Sequence, residues 1–232
     1  MTMRDQIASL GRHVAGECLP RHRHARGYVA LVLGGGYDEA GDQGRLSASA
    51  GTVVVHGDWT AHRDHFGARG AQVLNLPLPA GLLPGPGHIA DPDASVRLAE
   101  RDPRAAAAYV REQFRAGAAR RDDWPDLLAD ALTLDPGLAL TPWARRMTLD
   151  PASVSRGFAR AYGVSPKRFR LEVRTRRAFA ALASWRGSLA DLAADQGFAD
   201  QAHLARSVVA LTGMPPVRFR AKSVQAAPPP PY

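Results

Sequence analysis

A single cysteine, Cys18, stands among 232 residues. An intrachain disulfide is therefore excluded, as is any cysteine-rich zinc module, and the usage suits a reducing compartment. Cys18 itself reads as a small buried hydrophobe. Long apolar runs are missing too: no stretch approaches the roughly 20 residues needed to span a bilayer. The opening MTMRDQIASLGRH lacks the apolar segment of a secretory leader, so a soluble, cytoplasmic protein with no membrane contact is expected. Lysine is scarce, with arginine supplying all but two of the 30 basic side chains. A GC-rich genome alone produces that bias, but it would spread arginine evenly.

The charge is not even. Of the formal net charge of +8, residues 1–123 carry +1 and residues 124–232 carry +7. The C-terminal half therefore points to a polyanionic partner. With 45% hydrophobic residues, the chain has enough apolar material for two ordinary domains, each with its own core.

Across the first 80 residues, β-prone runs at 28–33, 52–56 and 72–76 alternate with Gly and Asp punctuation. They predict an all-β N-terminal domain over 1–90. Gly34, Gly35 and Gly36 read as a hairpin turn after the first run; no Gly-Lys-Ser/Thr follows, which excludes a phosphate loop. The proline- and glycine-rich stretch 78–93 reads as an irregular connection. A helical linker is expected over 91–123, with one helix starting at Asp102-Pro103, and a further helix is expected at 124–134. The chain ends in four consecutive prolines and a tyrosine, so 223–232 reads as a disordered tail.

The C-terminal half repeats itself. DPASVSRGFARAYGVSPKRFR (150–170) and DQAHLARSVVALTGMPPVRFR (200–220) align at an offset of 50. Asp150/Asp200, Arg156/Arg206, Gly163/Gly213, Pro166/Pro216 and Phe169/Phe219 match, and Val154 and Leu204 both supply a buried aliphatic. Two copies of one unit are implied. Each opens on a capping aspartate, followed by Pro151 or Gln201, and closes at a glycine. Upstream of each lies a shorter helix, one over 141–147 starting at Thr141-Pro142, the other over 189–196 capped by Ser188 with Asp191 three residues on. Thr148-Leu149 and Gly197-Phe198-Ala199 form the turns, so helix, tight turn, helix occurs twice. Between the units, a helix from Ser165-Pro166 to about Trp185 spans about 30 Å. One turn of B-DNA is roughly 34 Å, so this rod suits second helices in successive major grooves. Its Arg168, Arg170, Arg174, Arg176, Arg177 and Arg186 suit phosphate neutralisation, or simply a solvated face.

Gly197-Phe198-Ala199-Asp200-Gln201-Ala202-His203, the Gly-Val-Ser-Pro of 163–166 and the doubled unit resemble the AraC/XylS family of transcription regulators over about 124–222. The resemblance implies an all-α C-terminal domain with two helix-turn-helix units joined by a long linker helix. It also implies that exposed residues of each second helix face bases: Ala152, Ser153, Ser155 and Arg156, then Gln201, Ala202, His203 and Arg206. Arg156 and Gln201 are the preferred readers, because arginine bonds guanine and glutamine bonds adenine in bidentate fashion. Arg156 and Arg206 could equally clamp phosphate, and His203 could cap or pack. Two departures stand out: Thr148 replaces the turn glycine in the first unit, and Val208 stands where an aromatic would pair with Phe158.

Seven of the eight histidines precede residue 90. His22 and His24, two apart on a strand, point to one face, and His62 lies eleven residues after Gly51. The pattern is similar to a cupin barrel. That resemblance implies that His22, His24 and His62 could hold a divalent transition metal, although its glutamate position falls on Tyr28. In regulators of this family the barrel serves as an effector pocket with no cofactor required, and the histidines would then line its mouth. His56, Asp58, Asp64 and His65 could complete a site, and Tyr28, Tyr37 and Trp59 could line a pocket for a small apolar or aromatic effector.

The expectation is thus a non-enzymatic, sequence-specific DNA-binding regulator answering to a small-molecule effector. Its partners would be double-stranded promoter DNA, RNA polymerase if it activates, and a second copy of itself if it dimerises. Two rivals stand beside it: a metal-dependent cupin enzyme fused to a DNA-binding module, and an architectural DNA binder whose β-domain only dimerises.

Overall fold

The computed structural model describes residues 8–117 and 121–225. Two compact units divide the chain: Met1–Leu127 with Gly157–Val164, and Leu128–Arg156 with Ser165–Tyr232.

The first unit is an antiparallel sheet with helices on one face. Its strands are β1 (Ser9–His13), β2 (Cys18–Arg23), β3 (Tyr28–Gly41), β4 (Gly44–Ser49), β5 (Thr52–His56), β6 (Ala61–Pro77), β7 (Gly85–His88) and β8 (Arg115–Ala116). The sheet runs β1-β6-β3-β5-β7-β8, with β2 also paired to β6 and β4 to β3. Along 28–32 every residue is buried, because both faces are covered. Tyr28, Ala30 and Val32 join Leu46, Val54 and Phe66 on the inner face. Val29 and Leu31 join Val53, Val55, Leu74 and Leu76 on the other, against α1 (Pro92–Ala99) and α2 (Pro103–Gln113). Each such aliphatic contributes roughly 1.5–3 kcal/mol on leaving water. An antiparallel β-domain followed by a helical domain is the fold class expected, and the helices over 91–123 belong to the sheet's own core.

Several local expectations are corrected. The three glycines make no hairpin; they lie inside β3, where its pairing with β6 shifts register between Val32 and Gly34 and again between Gly35 and Tyr37. Gly35 has φ +69°, and a Cβ there would sit 2.0 Å from the Gly70 carbonyl oxygen. The glycines thus permit a bulge that bends one long strand. The proline-rich connection contains β7, in which Pro86 pairs with Val54, while the next strand, β8, pairs only with Gly87 and His88. Cys18 is exposed, since it falls on the outward alternation of β2. Asp126 is a buried ionic group outside the sheet interior of this unit; its carboxylate accepts from Arg45 Nε and Nη2, each at 3.0 Å, and from the Tyr162 hydroxyl at 2.7 Å. Burial alone would raise the pKa of Asp126, but these donors hold it below the ordinary carboxylate range.

The second unit is helical: the greater part of α3 (Trp124–Leu134), α4 (Leu140–Arg146), the first half of α5 (Pro151–Tyr162), α6 (Pro166–Leu182), α7 (Leu189–Asp195), α8 (Gln201–Thr212) and α9 (Pro216–Gln225). Ala178, Leu182, Leu192, Phe198, Leu204 and Val208 form one core cluster. The helix α4 starts at Leu140, one residue before Thr141, and its N-cap, Ala139, provides no side-chain hydrogen bond. Helix α9 takes in 223–225, so the expected tail begins later, and 226–232 lie outside the described residues.

The bend in β3 is testable. Gly35→Ala adds left-handed strain of about 1–2 kcal/mol to a backbone clash, and denaturant titration should show a loss above about 2 kcal/mol. At Gly34 a Cβ would meet no atom within 4 Å, so Gly34→Ala should change stability by less than about 0.5 kcal/mol. Equal effects at the two positions would contradict the bulge.

Candidate functional site

Each helix-turn-helix unit is built from backbone hydrogen bonds. In the first, Thr148 N donates to Arg145 O at 3.0 Å and Leu149 N to Ala144 O at 2.9 Å. In the second, Gly197 N donates to Ala194 O at 3.1 Å and Phe198 N to Ala193 O at 2.8 Å. The pattern is the same at an offset of 49, one less than that of the helices that follow, so the second turn is longer by one residue. Thr148 has φ 57° and Gly197 φ 72°. The threonine therefore occupies the left-handed conformation that the glycine adopts without strain.

After each turn an aspartate starts the second helix. Asp200 accepts from His203 N at 2.6 Å. Asp150 accepts from Ser153 N and from the Ser153 hydroxyl, at 3.0 and 2.8 Å, and its pKa is lowered by these bonds. Ser188 and Asp191 complete a capping box ahead of α7. One stripe of each second helix packs inward: Val154 and Phe158 in α5, Leu204 and Val208 in α8. The small Val208 is fully buried where Phe158 stands in the first unit.

The opposite stripe is open. Ala152, Ser153, Ser155 and Arg156 are exposed, as are Gln201, Ala202 and Arg206. Arg156 Nη2 lies 3.3 Å from Ser153 Oγ, a local bond that leaves the guanidinium at the surface. His203 is half-buried, its ring edge against Phe198 at 5.2 Å.

The linker-helix arginines have a second task. Arg170 donates to Leu138 O at 2.6 Å, and Arg174 to Pro136 O at 2.8 Å and Gly197 O at 2.9 Å. Arg177 donates to Leu134 O at 3.2 Å. These guanidinium groups satisfy the Leu134 carbonyl, which the end of α3 leaves unpaired, and carbonyls of the segment after it and of the second turn. Arg168 pairs with the buried Glu172 at 3.0 Å. With Lys167 and His203, Arg168, Arg170 and Arg174 line a hollow of about 360 Å³. Three arginines and a lysine around one concavity suit an anionic oxygen.

The second candidate site lies inside the sheet of the first unit. His22, His24, Tyr28, Tyr37 and His62 share a cavity of about 160 Å³ with Asp64, Phe66 and others. His56 packs beneath it, its ring stacked on Tyr28 at 4.5 Å and on His62 at 4.4 Å. The Tyr28 hydroxyl is 3.2 Å from His62 Nε2, and Asp64 Oδ1 is 3.0 Å from His62 Nδ1. Trp59 does not line this cavity; its backbone N–H donates to His24 O. Asp58 instead accepts from Gly27 N, and His65 is exposed.

Sequence reasoning overlooked Glu39. It lies on β3 two residues past Tyr37, on the same face, while Asp38 between them is exposed. Period-two alternation along 36–41 was the available signal. Its carboxylate is 3% exposed, with Oε2 3.5 Å from His62 Nδ1 and 3.6 Å from His56 Nε2. Burial raises the Glu39 pKa, partly offset by His62. For His62, burial opposes the charge, but bonds and charges from Asp64 and Glu39 outweigh it and push the pKa up to about 10. Burial, then the charge of neighbouring histidines, lowers His24 to about 4 and holds His56 well below the ordinary value. The carboxylates thus favour the charged form of His62, while burial favours the neutral forms of His24 and His56.

Residues 143–222 match the family described as a helix-turn-helix domain, which agrees with the doubled motif. No curated protein matches the chain. Among solved structures, the C-terminal domain of AraT, a response regulator from Geobacillus stearothermophilus, is 18% identical, with a TM-score of 0.38, over 42% of this chain and 84% of that one. ToxT from Vibrio cholerae is 6% identical, with a TM-score of 0.42, over 92% and 97%. KdgF from a Halomonas species is 19% identical, with a TM-score of 0.28, over 29% and 63%.

Thr148→Gly tests the turn. Relief of about 1–2 kcal/mol of left-handed strain is offset by about 0.4–1 kcal/mol of added freedom in the unfolded chain. Stability should rise by up to about 1 kcal/mol, read as a higher denaturant midpoint at constant slope. A clear loss of stability would mean that the threonine side chain anchors the turn.

Proposed function

We propose that the chain is a sequence-specific, DNA-binding transcription regulator of the AraC/XylS type, with the cavity of the sheet domain as the seat of a small-molecule effector. The observation that carries the reading is the pair of second helices. Each is fixed by a tight turn and an aspartate cap, packs one stripe inward, and leaves polar side chains open on the other. Arg156 and Gln201 are the base readers in this reading, with Ala152 and Ala202 offering methyl contacts and Ser153, Ser155, His203 and Arg206 completing the two faces. The hollow lined by Arg168, Arg170 and Arg174 supplies phosphate contacts, which set affinity and salt dependence.

The cavity bounds the effector. A volume of about 160 Å³ is below the roughly 300–1,000 Å³ of ordinary ligand pockets, and holds about five waters at roughly 30 Å³ each. The effector is therefore compact, with polar atoms to meet Tyr28, His62 and Asp64. A cupin-type metal-dependent enzyme draws on a separate observation, the grouping of His22, His24 and His62 with ligand atoms within 4.8 Å of one another. Fused to a DNA-binding module, such an enzyme leaves the exposed stripes of α5 and α8 with the same role, so the two readings differ in the sheet domain alone.

Selection of duplexes from a randomised pool by the full chain supplies the probe. On the selected duplex, Arg156→Ala and Gln201→Ala should each cost about 1–3 kcal/mol, with little effect on random duplex. Arg168→Ala should weaken both alike and make the slope of log K against log salt shallower by about 1. A chain that binds selected and random duplex equally at fixed salt would overturn the regulator reading in favour of an architectural one.

A further inference from the structure

Among the buried polar atoms of the histidine cluster, His24 Nε2, Glu39 Oε2 and His56 Nε2 make no hydrogen bond of normal geometry, and the last two lie 3.6 Å apart. His62 Nδ1 stands 3.5 Å from the same carboxylate oxygen. The side chains of Glu39, His56 and His62 are more than nine-tenths buried. Leaving an acceptor unpaired in such surroundings costs about 1–3 kcal/mol, and more for a charged group, so the arrangement is poor as packing. It is good as a ligand set. Tetrahedral zinc with bonds of about 2.0–2.2 Å places neighbouring donor atoms about 3.4 Å apart, close to both observed separations.

We propose that Glu39, His56 and His62 bind one divalent transition metal ion of the zinc class in the interior of the sheet domain. Asp64, 3.0 Å from His62 Nδ1, is the nearest further oxygen donor. With the ion on Nδ1, the remaining N–H of His62 donates to the Tyr28 hydroxyl, 3.2 Å from Nε2, which fixes the ring's tautomer and orientation. The ion also compensates two carboxylates, Glu39 and Asp64, that are both buried. The neighbouring group of His22, His24 and His62 also has its ligand atoms within 4.8 Å of one another, but it offers no carboxylate and leaves the buried Glu39 uncompensated. Entry is through the cavity, onto which His62, Tyr28 and Asp64 open. The site is independent of the DNA-binding reading.

Calorimetric titration of the chelator-treated full chain with Zn²⁺ tests it, with Co²⁺ absorption reporting tetrahedral geometry. One ion per chain is expected, with a rise in melting temperature on zinc addition. Glu39→Gln and His56→Ala should each weaken binding by about tenfold or more, since even outer partners of metal ligands are worth about 10–100-fold. His24→Ala and Cys18→Ser should bind as the parent does. Far-UV dichroism of metal-free Glu39→Gln checks its fold, and the zinc-dependent melting shift of the parent stands whatever that variant does. Absence of saturable uptake, or uptake lost in His24→Ala but kept in Glu39→Gln, overturns the proposal.

Discussion

Two backbone hydrogen bonds close the turn in each helix-turn-helix unit, and the placement of the second helix depends on them. A short turn cannot wander: the two N–H groups after the first helix must donate back to it, and the residue between must accept a left-handed backbone. That fixes where the second helix begins, and the aspartate cap then fixes its first turn. Only with the start defined do Val154 and Phe158, or Leu204 and Val208, fall together on the buried side. The polar stripe opposite is a geometric consequence of the turn.

The arginines of α6 extend the same logic. A helix rich in arginine and placed between two helix-turn-helix units has the look of a phosphate clamp, yet three of its guanidinium groups already bond carbonyls at or beyond the end of α3 or in the second turn. Such bonds orient the cations rather than cancel them, because a carbonyl carries no net charge. A fixed cation loses little side-chain freedom when an anion arrives. Structural and electrostatic service by one side chain are compatible here.

The parts legible in the sequence were those set by neighbours along the chain. Helix α3 over Trp124–Leu134, strand β5 over Thr52–His56, the Ser188–Asp191 box and the Asp200 cap follow from periodicity and local bonding. What stayed hidden was set by distant partners. Gly35 reads as a turn until Gly70 comes to lie against it. Strand β7 lies in a proline-rich stretch and exists because β5 offers an edge. The interior role of Glu39 depends on His56 and His62, which β5 and β6 deliver only after β3 has bent. The histidine spacing revealed half of that cluster, since alternation shows which side chains share a face but not what lies across from them.

The exposure of Cys18 carries an experimental consequence. It is the chain's one thiol, on β2 beside Leu19, which lines the cavity, and in register with His65 on β6. A maleimide dye therefore attaches at a single defined position without engineering.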